Sequence, residues 1–398
     1  MKTRLISLCV VTFTLQSVFA QLTSLGFVEK YNSSKLTLLD NQLYAATSQG
    51  LYQRNLDHAD STWRKLPSIE GAVTDFEVRG DTLIVLTDSC LMISTDGGFT
   101  SKSISVDAIV PDWKEDPYYN GSTSFGKIKM QGLAVHPQNT KKLYVAYKGL
   151  SYSEDGGESW HAADENMRIE GISYNPLDAT NLIAYTHTTT DIIVLEKNAK
   201  VYVSTDAGAN WKQVSGFHGS YTTELKGIAF HPTEADKAML YGTGIYAISE
   251  DSGLTWQTIG TEPVYPDMDV TPLVYLDYLV YDSRNPNILY GADWKASYET
   301  EKKVRILRST DGGLSWDTFY TIDNTAAVRS MSIDNGVLAI ATGQRGIYLL
   351  DVDALEASIS SAQADAINSP YYDLMGREVT HPTRGIYIKD GRKVMIGY

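Results

Sequence analysis

One eight-residue phrase, Ser-x-Asp-x-Gly-x-(Ser/Thr/Asn)-Trp, recurs along this chain and forces repetition on its fold. It stands complete at Ser153–Trp160, Ser204–Trp211, Ser249–Trp256 and Ser309–Trp316, and again at Ser94–Ser101 with Ser101 in the tryptophan's place. A degenerate copy, Tyr52–Trp63, keeps the leading strand and Trp63 but lacks the glycines. The phrase reads as a hairpin. An alternating strand such as Val201-Tyr202-Val203-Ser204 enters it, the aspartate accepts turn amides, glycine supplies positive φ, and tryptophan opens the return strand. Asp96, Asp155, Asp206, Asp251 and Asp311 are therefore expected to hold turns, not to act as carboxylates in a site.

A second phrase precedes each copy. Gly132-Leu133-Ala134-Val135-His136-Pro137 leads to Leu143–Ala146, Gly171–Pro176 to Leu182–Tyr185, Gly227–Pro232 to Leu240–Gly242, and Leu279–Asp282 to Ile288–Tyr290. Each reads as two strands joined by a Pro/Asn/Asp turn, which makes His136 and His231 turn residues, not metal ligands. Two hairpins make a four-stranded unit. Seven units follow, at 36–67, 73–104, 128–163, 169–214, 225–259, 274–319 and 328–355, with successive aspartates 59, 51, 45 and 60 residues apart. That spacing suits four-stranded propeller blades. The last unit has three strands, and Ser24–Glu29 is expected to supply its fourth, leaving no open edge at the seam.

These phrases resemble the Asp-box (BNR) repeats of sialidases, sortilin-type domains, xyloglucanases and plant-type photosystem assembly factors. The His/Asn-Pro…Leu-Tyr phrase is most similar to the sortilin and xyloglucanase branch. The resemblance spans about 320 residues, 36–355, and implies an all-β fold, a seven-bladed β-propeller with Asp-box hairpins. It is weak on activity, because unrelated functions share these repeats.

The ends carry different signals. Lys2 and Arg4, the apolar Leu5–Phe13 and the small-residue pattern Val18-Phe19-Ala20 read as a signal peptide, residues 1–20. Cys90 is then the one cysteine of the mature chain, and it is expected to pack as a small hydrophobe. The propeller occupies 21–355, a small-residue linker 356–369, and a β-hairpin module 370–398 with Asp390-Gly391 at its turn. The phrases Tyr371–Val379 and Gly385–Ile396 resemble the C-terminal sorting domain of the type IX secretion system of Bacteroidota. That resemblance implies the secretion machinery as a partner, and release or retention at the outer surface of a Gram-negative bacterium. The net charge of −14 disfavours a nucleic-acid partner, and no apolar run is long enough for a transmembrane segment.

Insertions point to the binding face. By propeller topology, 105–127, 186–199, 260–273 and 292–303 all emerge on the face opposite the Asp-box turns, and long loops on a rigid scaffold are where binding concentrates. They bring together Trp113, Asp116, Tyr118, Tyr119, His187, Asp191, Tyr265, Asp267, Asp269, Asp293, Trp294 and Tyr298. Aromatic platforms beside carboxylates suit a sugar; Trp113 and Trp294 can equally pin their own loops to the scaffold. No Arg-Ile-Pro phrase of the sialidase kind is present, the nearest being Arg168-Ile169-Glu170 in a different blade. No nucleophile–base set, phosphate loop or zinc spacing appears, so no cofactor or metal is expected and no catalytic residue is assigned. The sequence reads as a secreted or cell-surface propeller that binds a glycan or protein ligand through its long-loop face. The alternative is a glycoside hydrolase or lyase acting on extracellular polysaccharide with loop carboxylates.

Overall fold

In most repeats the first strand is only partly buried while the second is buried almost throughout; in blade three the first strand, Gly132–Val135, is itself buried at every position. Val73–Arg79 is buried only at Val73, Phe76 and Val78, whereas Leu83–Thr87 is buried at every position. A strand covered by neighbouring sheets on both faces needs such a continuous apolar run. The computed structural model describes residues 22–28, 32–58, 61–109, 132–146, 149–164, 169–186, 200–214, 224–243, 245–261, 271–272, 276–293, 303–323, 327–343, 345–359, 371–380, 385–389 and 392–396.

Seven antiparallel four-stranded sheets form in chain order, each starting from one of the first strands Ser33–Leu39, Val73–Arg79, Gly132–Val135, Ile169–Tyr174, Glu224–Phe230, Leu276–Tyr281 and Val328–Asp334. These first strands touch one another in cyclic order, the seventh closing on the first, so they wall a central channel. The molecule is a seven-bladed β-propeller. Blade seven takes its outer strand, Leu22–Gly26, from the chain's beginning, two residues earlier than the sequence suggests. Its partner strand is Gly346–Asp351.

Apolar clusters glue neighbouring blades. Trp160 of blade three packs on Ile84, Leu86, Leu91 and Ile104 of blade two. Trp256 of blade five joins Ile183, Val201 and Val203 of blade four. Trp211 meets the Tyr144 ring edge-on at 6.2 Å, and Trp316 meets Tyr246 at the same distance. The box tryptophans are thus inter-blade wedges.

The box glycines follow from the same packing. Two successive residues take positive φ, and the first can be Ala207 (φ 59) or Ser252 (φ 62). The second is always glycine, because a Cβ at Gly208 would lie inside the Tyr144 phenol and one at Gly313 inside that of Tyr246, each from the preceding blade.

Thr23–Leu349 forms one compact unit, and the described residues from Leu350 onward belong to another. In that second unit residues 352–359 are helical, which reaches into the stretch read as a linker. The expected hairpin, Gly385–Lys389 with Arg392–Ile396, is widened by Tyr371–Tyr372 and Glu378–Val379 into a four-stranded sheet. The Asp373 carboxylate closes its first turn by accepting the amides of Met375 at 2.8 Å and Arg377 at 3.0 Å. Cys90 is half-buried, with its Sγ 3.3 Å from the Thr87 hydroxyl.

Candidate functional site at the loop-bearing mouth

The channel has two chemically different ends. At one end lie the turns joining first to second strands and the box turns joining third to fourth. Every box carboxylate is consumed there. The Ser94 hydroxyl donates to Asp96 at 2.9 Å and accepts the Gly98 amide, while the Thr100 amide and hydroxyl donate to Asp96 at 2.9 and 2.7 Å. Asp155, Asp206, Asp251 and Asp311 repeat the pattern with Ser159, Asn210, Thr255 and Ser315. Hydrogen bonds from Thr100 hold the Asp96 carboxyl down at about 2, and those from Ser159 and Asn210 lower Asp155 and Asp206. For Asp251 and Asp311 burial pulls upward, and the bonds from Thr255 and Ser315 outweigh it.

The neighbouring turns are capped just as fully. His136 Nδ1 accepts the Gln138 amide at 3.1 Å and His231 Nδ1 the Glu234 amide at 3.1 Å. At the same place in blades four and six, Asn175 and Asp282 accept the amides of Leu177 and Arg284, each at 3.0 Å. A small cavity of about 90 Å³ at this end is lined by Glu77, Arg79, Pro137, Tyr174 and Pro176 among others.

The opposite mouth is built by a repeated irregularity. In six of the seven first strands one residue bulges out of register near the strand's start: Ser34, Thr74, Glu170, Lys226, Asp277 and Arg329. The seventh equivalent precedes Gly132, outside the described residues. A bulge re-aims the chain locally, and bulges gather at rims and sites. On blades four to seven the bulged residues are charged and alternate in sign; on blades one and two they carry only hydroxyls.

In blades one, two and seven the residue after the bulge ties its blade to the next. The Lys35 ammonium donates to Asp75 at 2.5 Å and to the Phe76 carbonyl at 3.0 Å, and Asp75 also accepts the Leu133 amide at 3.0 Å, so one carboxylate joins three blades. Burial opposes the charge on Lys35, but Asp75 and Glu77 outweigh it and its pKa is raised. In blades four and five the tie comes from the second strand. Tyr185 and Tyr241 lie opposite Gly171 and Gly227 and occupy the space a Cβ there would need. The Tyr185 hydroxyl donates to the Lys226 carbonyl at 3.2 Å. Burial raises the pKa of both phenols, and burial with Asp277 nearby pushes Tyr278 up to about 12.

Two loop roots, Thr186 and Asp293, reach this mouth. Trp113, Asp116, Tyr118, Tyr119, His187, Asp191, Tyr265, Asp267, Asp269, Trp294 and Tyr298 lie outside the described residues. Asp293 ends the strand Leu289–Asp293 and pairs with Leu276, next to the bulged Asp277. Thr186, the last residue before the His187 loop, pairs with Ile169 beside Glu170. The 260–273 insertion starts from a two-stranded stem, Gly260–Thr261 with Thr271–Pro272. Sequence reasoning missed the charged collar. Its signal was present as the residue before the phrase glycine, Glu170-Gly171 and Lys226-Gly227.

Comparison with known proteins places this architecture. A Sortilin-Vps10 family model (sortilin, neurotensin receptor 3) matches residues 199–346. Xyloglucanase Xgh74A of Acetivibrio thermocellus is 27% identical over 237 residues, 51% of this chain and 27% of that protein. Vacuolar protein sorting/targeting protein 10 of Uncinocarpus reesii is 27% identical over 161 residues, 39% of this chain and 11% of that protein. The chain therefore spans well under two thirds of these relatives. The GH74 xyloglucanase from Xanthomonas campestris superposes with a TM-score of 0.59 at 16% identity, over 84% of this chain and 54% of that one. YCF48 from Cyanidioschyzon merolae gives 0.54 at 11% identity, over 83% and 98%. What is shared is the propeller itself. Identities this low among the solved structures speak for the fold alone. Among the described residues no helix is long and apolar enough to cross a membrane, and no cluster of three or more His, Cys, Asp or Glu residues could hold a metal ion.

Proposed function

We propose that this chain is an exported binding propeller that holds a glycan or protein ligand at the loop-bearing mouth of its channel. One observation carries the reading: the charged bulges Glu170, Lys226, Asp277 and Arg329 stand near the starts of four successive first strands, at the end of the channel where the insertions at Thr186 and Asp293 take root. Fixed charges on rigid strands, ringed by aromatic-rich loops, give a ligand both orientation and contact area. The N-terminal signal and the resemblance of the tail to a sorting domain support export, with the secretion machinery as a transient partner.

A glycoside hydrolase or lyase is the second reading. It is favoured by the xyloglucanase relatives and by Asp277 and Asp293, which stand on adjacent strands at this mouth. Hydrolysis needs two carboxylates about 5–9.5 Å apart across the scissile bond.

The deciding experiment incubates the full chain with a panel of host and plant glycans, reading new products by mass spectrometry and ligand-induced stabilisation by melting temperature. Stabilisation without products, lost in Trp113→Ala, Trp294→Ala or Lys226→Ala while the fold persists, supports the binding reading. Products that vanish in Asp277→Asn or Asp293→Asn establish the hydrolase instead. Silence on both counts directs the search to a protein ligand.

A further inference from the structure

We infer that the imidazoles of His136 and His231 make two blade joints acid-sensitive, so that acidification loosens the turns at the boundaries of blades three with four and five with six while the other turns stay closed. The inference starts from equivalence. Four blades carry the same long turn after their first strand, and in each the first turn residue caps it by accepting a backbone amide: His136, Asn175, His231 and Asp282. An imidazole performs that task only when Nδ1 keeps its lone pair; once protonated, both ring nitrogens are donors and the N–H of Gln138 or Glu234 faces another N–H. Asn175 has no such transition. Asp282 is clasped by Arg284, whose Nε and Nη2 lie 3.0 and 2.7 Å from its oxygens, and this outweighs the upward pull of burial and lowers its pKa.

Each histidine also bridges two blades. His136 meets the Tyr174 ring of blade four at 5.4 Å, and His231 meets Tyr281 of blade six at 5.3 Å, both edge-on. Loss of the cap therefore acts at a blade boundary as well as within the turn. The groups around the two rings differ. Around His136 stand Lys142, itself paired with Glu154 at 3.1 Å, and the Tyr174 phenol, while the Arg79–Glu77 pair of blade two lines the small cavity beside Pro137. Around His231 stand Glu234, with Oε1 3.5 Å from Nε2, together with Asp236, Lys237 and Tyr281. Burial and Lys142 hold His136 below the usual imidazole range; burial does the same for His231, against the carboxylate of Glu234. Neutral rings thus stabilise the fold above the ordinary imidazole pKa, and that contribution is lost as pH falls through the lowered value.

The other three blades provide the internal control. Their turns are two-residue hairpins at Asp40-Asn41, Gly80-Asp81 and Asn335-Gly336, with no imidazole. The test is amide hydrogen exchange on the full chain from about pH 7.5 to about pH 5, corrected for intrinsic exchange. Protection at Gln138 and Glu234 is expected to fall about five- to tenfold, the loss of one hydrogen bond, while Leu177 and Arg284 keep theirs. His136→Asn with His231→Asn, the residue blade four already uses, should abolish the fall. Unchanged protection in the native chain overturns the inference, and so does an equal fall at Leu177. A persisting fall in the double variant overturns it as well. Should the variant not fold, the native chain's four-turn comparison decides alone.

Discussion

Blades seven, one and two differ from blades three to six in nearly every device that holds a ring together. The first sector turns tightly, at Asn335-Gly336, Asp40-Asn41 and Gly80-Asp81, and bears none of the complete Asp-boxes. Its seam is stitched from inside: the amides of Leu36, Leu38 and Asp40 donate to Ser330, Ser332 and Asp334, each at 2.9 Å. The second sector carries the capped long turns, the tryptophans of the complete boxes and the roots of three insertions, the fourth starting from blade two, and the charged bulges run from its blade four into blade seven. Closure and display are therefore separated around the ring. Polar stitching suits the sector that must close, where a first strand can reach its neighbour's side chains. Wedges and caps suit the sector that carries long loops, because they fix each blade independently of the loop it bears.

The largest test of this division removes a wedge. Trp256→Ala should destabilise by about 3–5 kcal/mol, whereas Ser101→Ala at the equivalent place in blade two, which loses only a 3.0 Å bond to the Ser68 carbonyl, should cost about 1 kcal/mol. Urea unfolding of both variants compares the sectors directly, and equal losses would break the comparison. Within one box, Gly313→Ala should cost about 2–5 kcal/mol, from overpacking against blade five added to left-handed strain. Gly312→Ala, with open space around it, should show only the strain, about 1–2 kcal/mol. At the seam, Ser330→Ala strands the buried Leu36 amide and should cost about 1–3 kcal/mol by the same assay. Lys35→Met, which leaves Asp75 with its amide partners alone, should lie in a similar range, about 1–3 kcal/mol, and lessen at high salt.

The gentlest probe is acid. The Asp96 carboxyl is lowered to about 2, so its bonds stabilise the fold above the ordinary carboxylate pKa and are lost as pH falls toward that value. Asp96→Asn should flatten the stability curve between about pH 4 and about pH 2, and melting temperature against pH reads this out.

Much of this was legible in the residues. Ser-x-Asp-x-Gly gave the hairpins because its hydrogen bonds close within seven residues, and the requirement for glycine at Gly208 and Gly313 travelled with it. The seven units and the N-terminal closing strand followed from the same periodicity. The candidate site was half legible. Insertion lengths pointed to the correct end of the channel for the roots at Thr186 and Asp293, but the collar at Glu170, Lys226, Asp277 and Arg329 was not foreseen. A bulge is a mismatch between two strands, and neither strand alone announces it.

The sequence by itself determined the repeat, the turn chemistry and the seven-fold count, since each rests on contacts between residues close along the chain. Only the tertiary structure decided which blades share a carboxylate, as Lys35, Asp75 and the Leu133 amide do, and which carbonyl of the next blade a phenol reaches, as Tyr185 reaches that of Lys226. Those pairings join positions 40 to 58 residues apart, and they exist only once the ring has set the distance between one blade and the next.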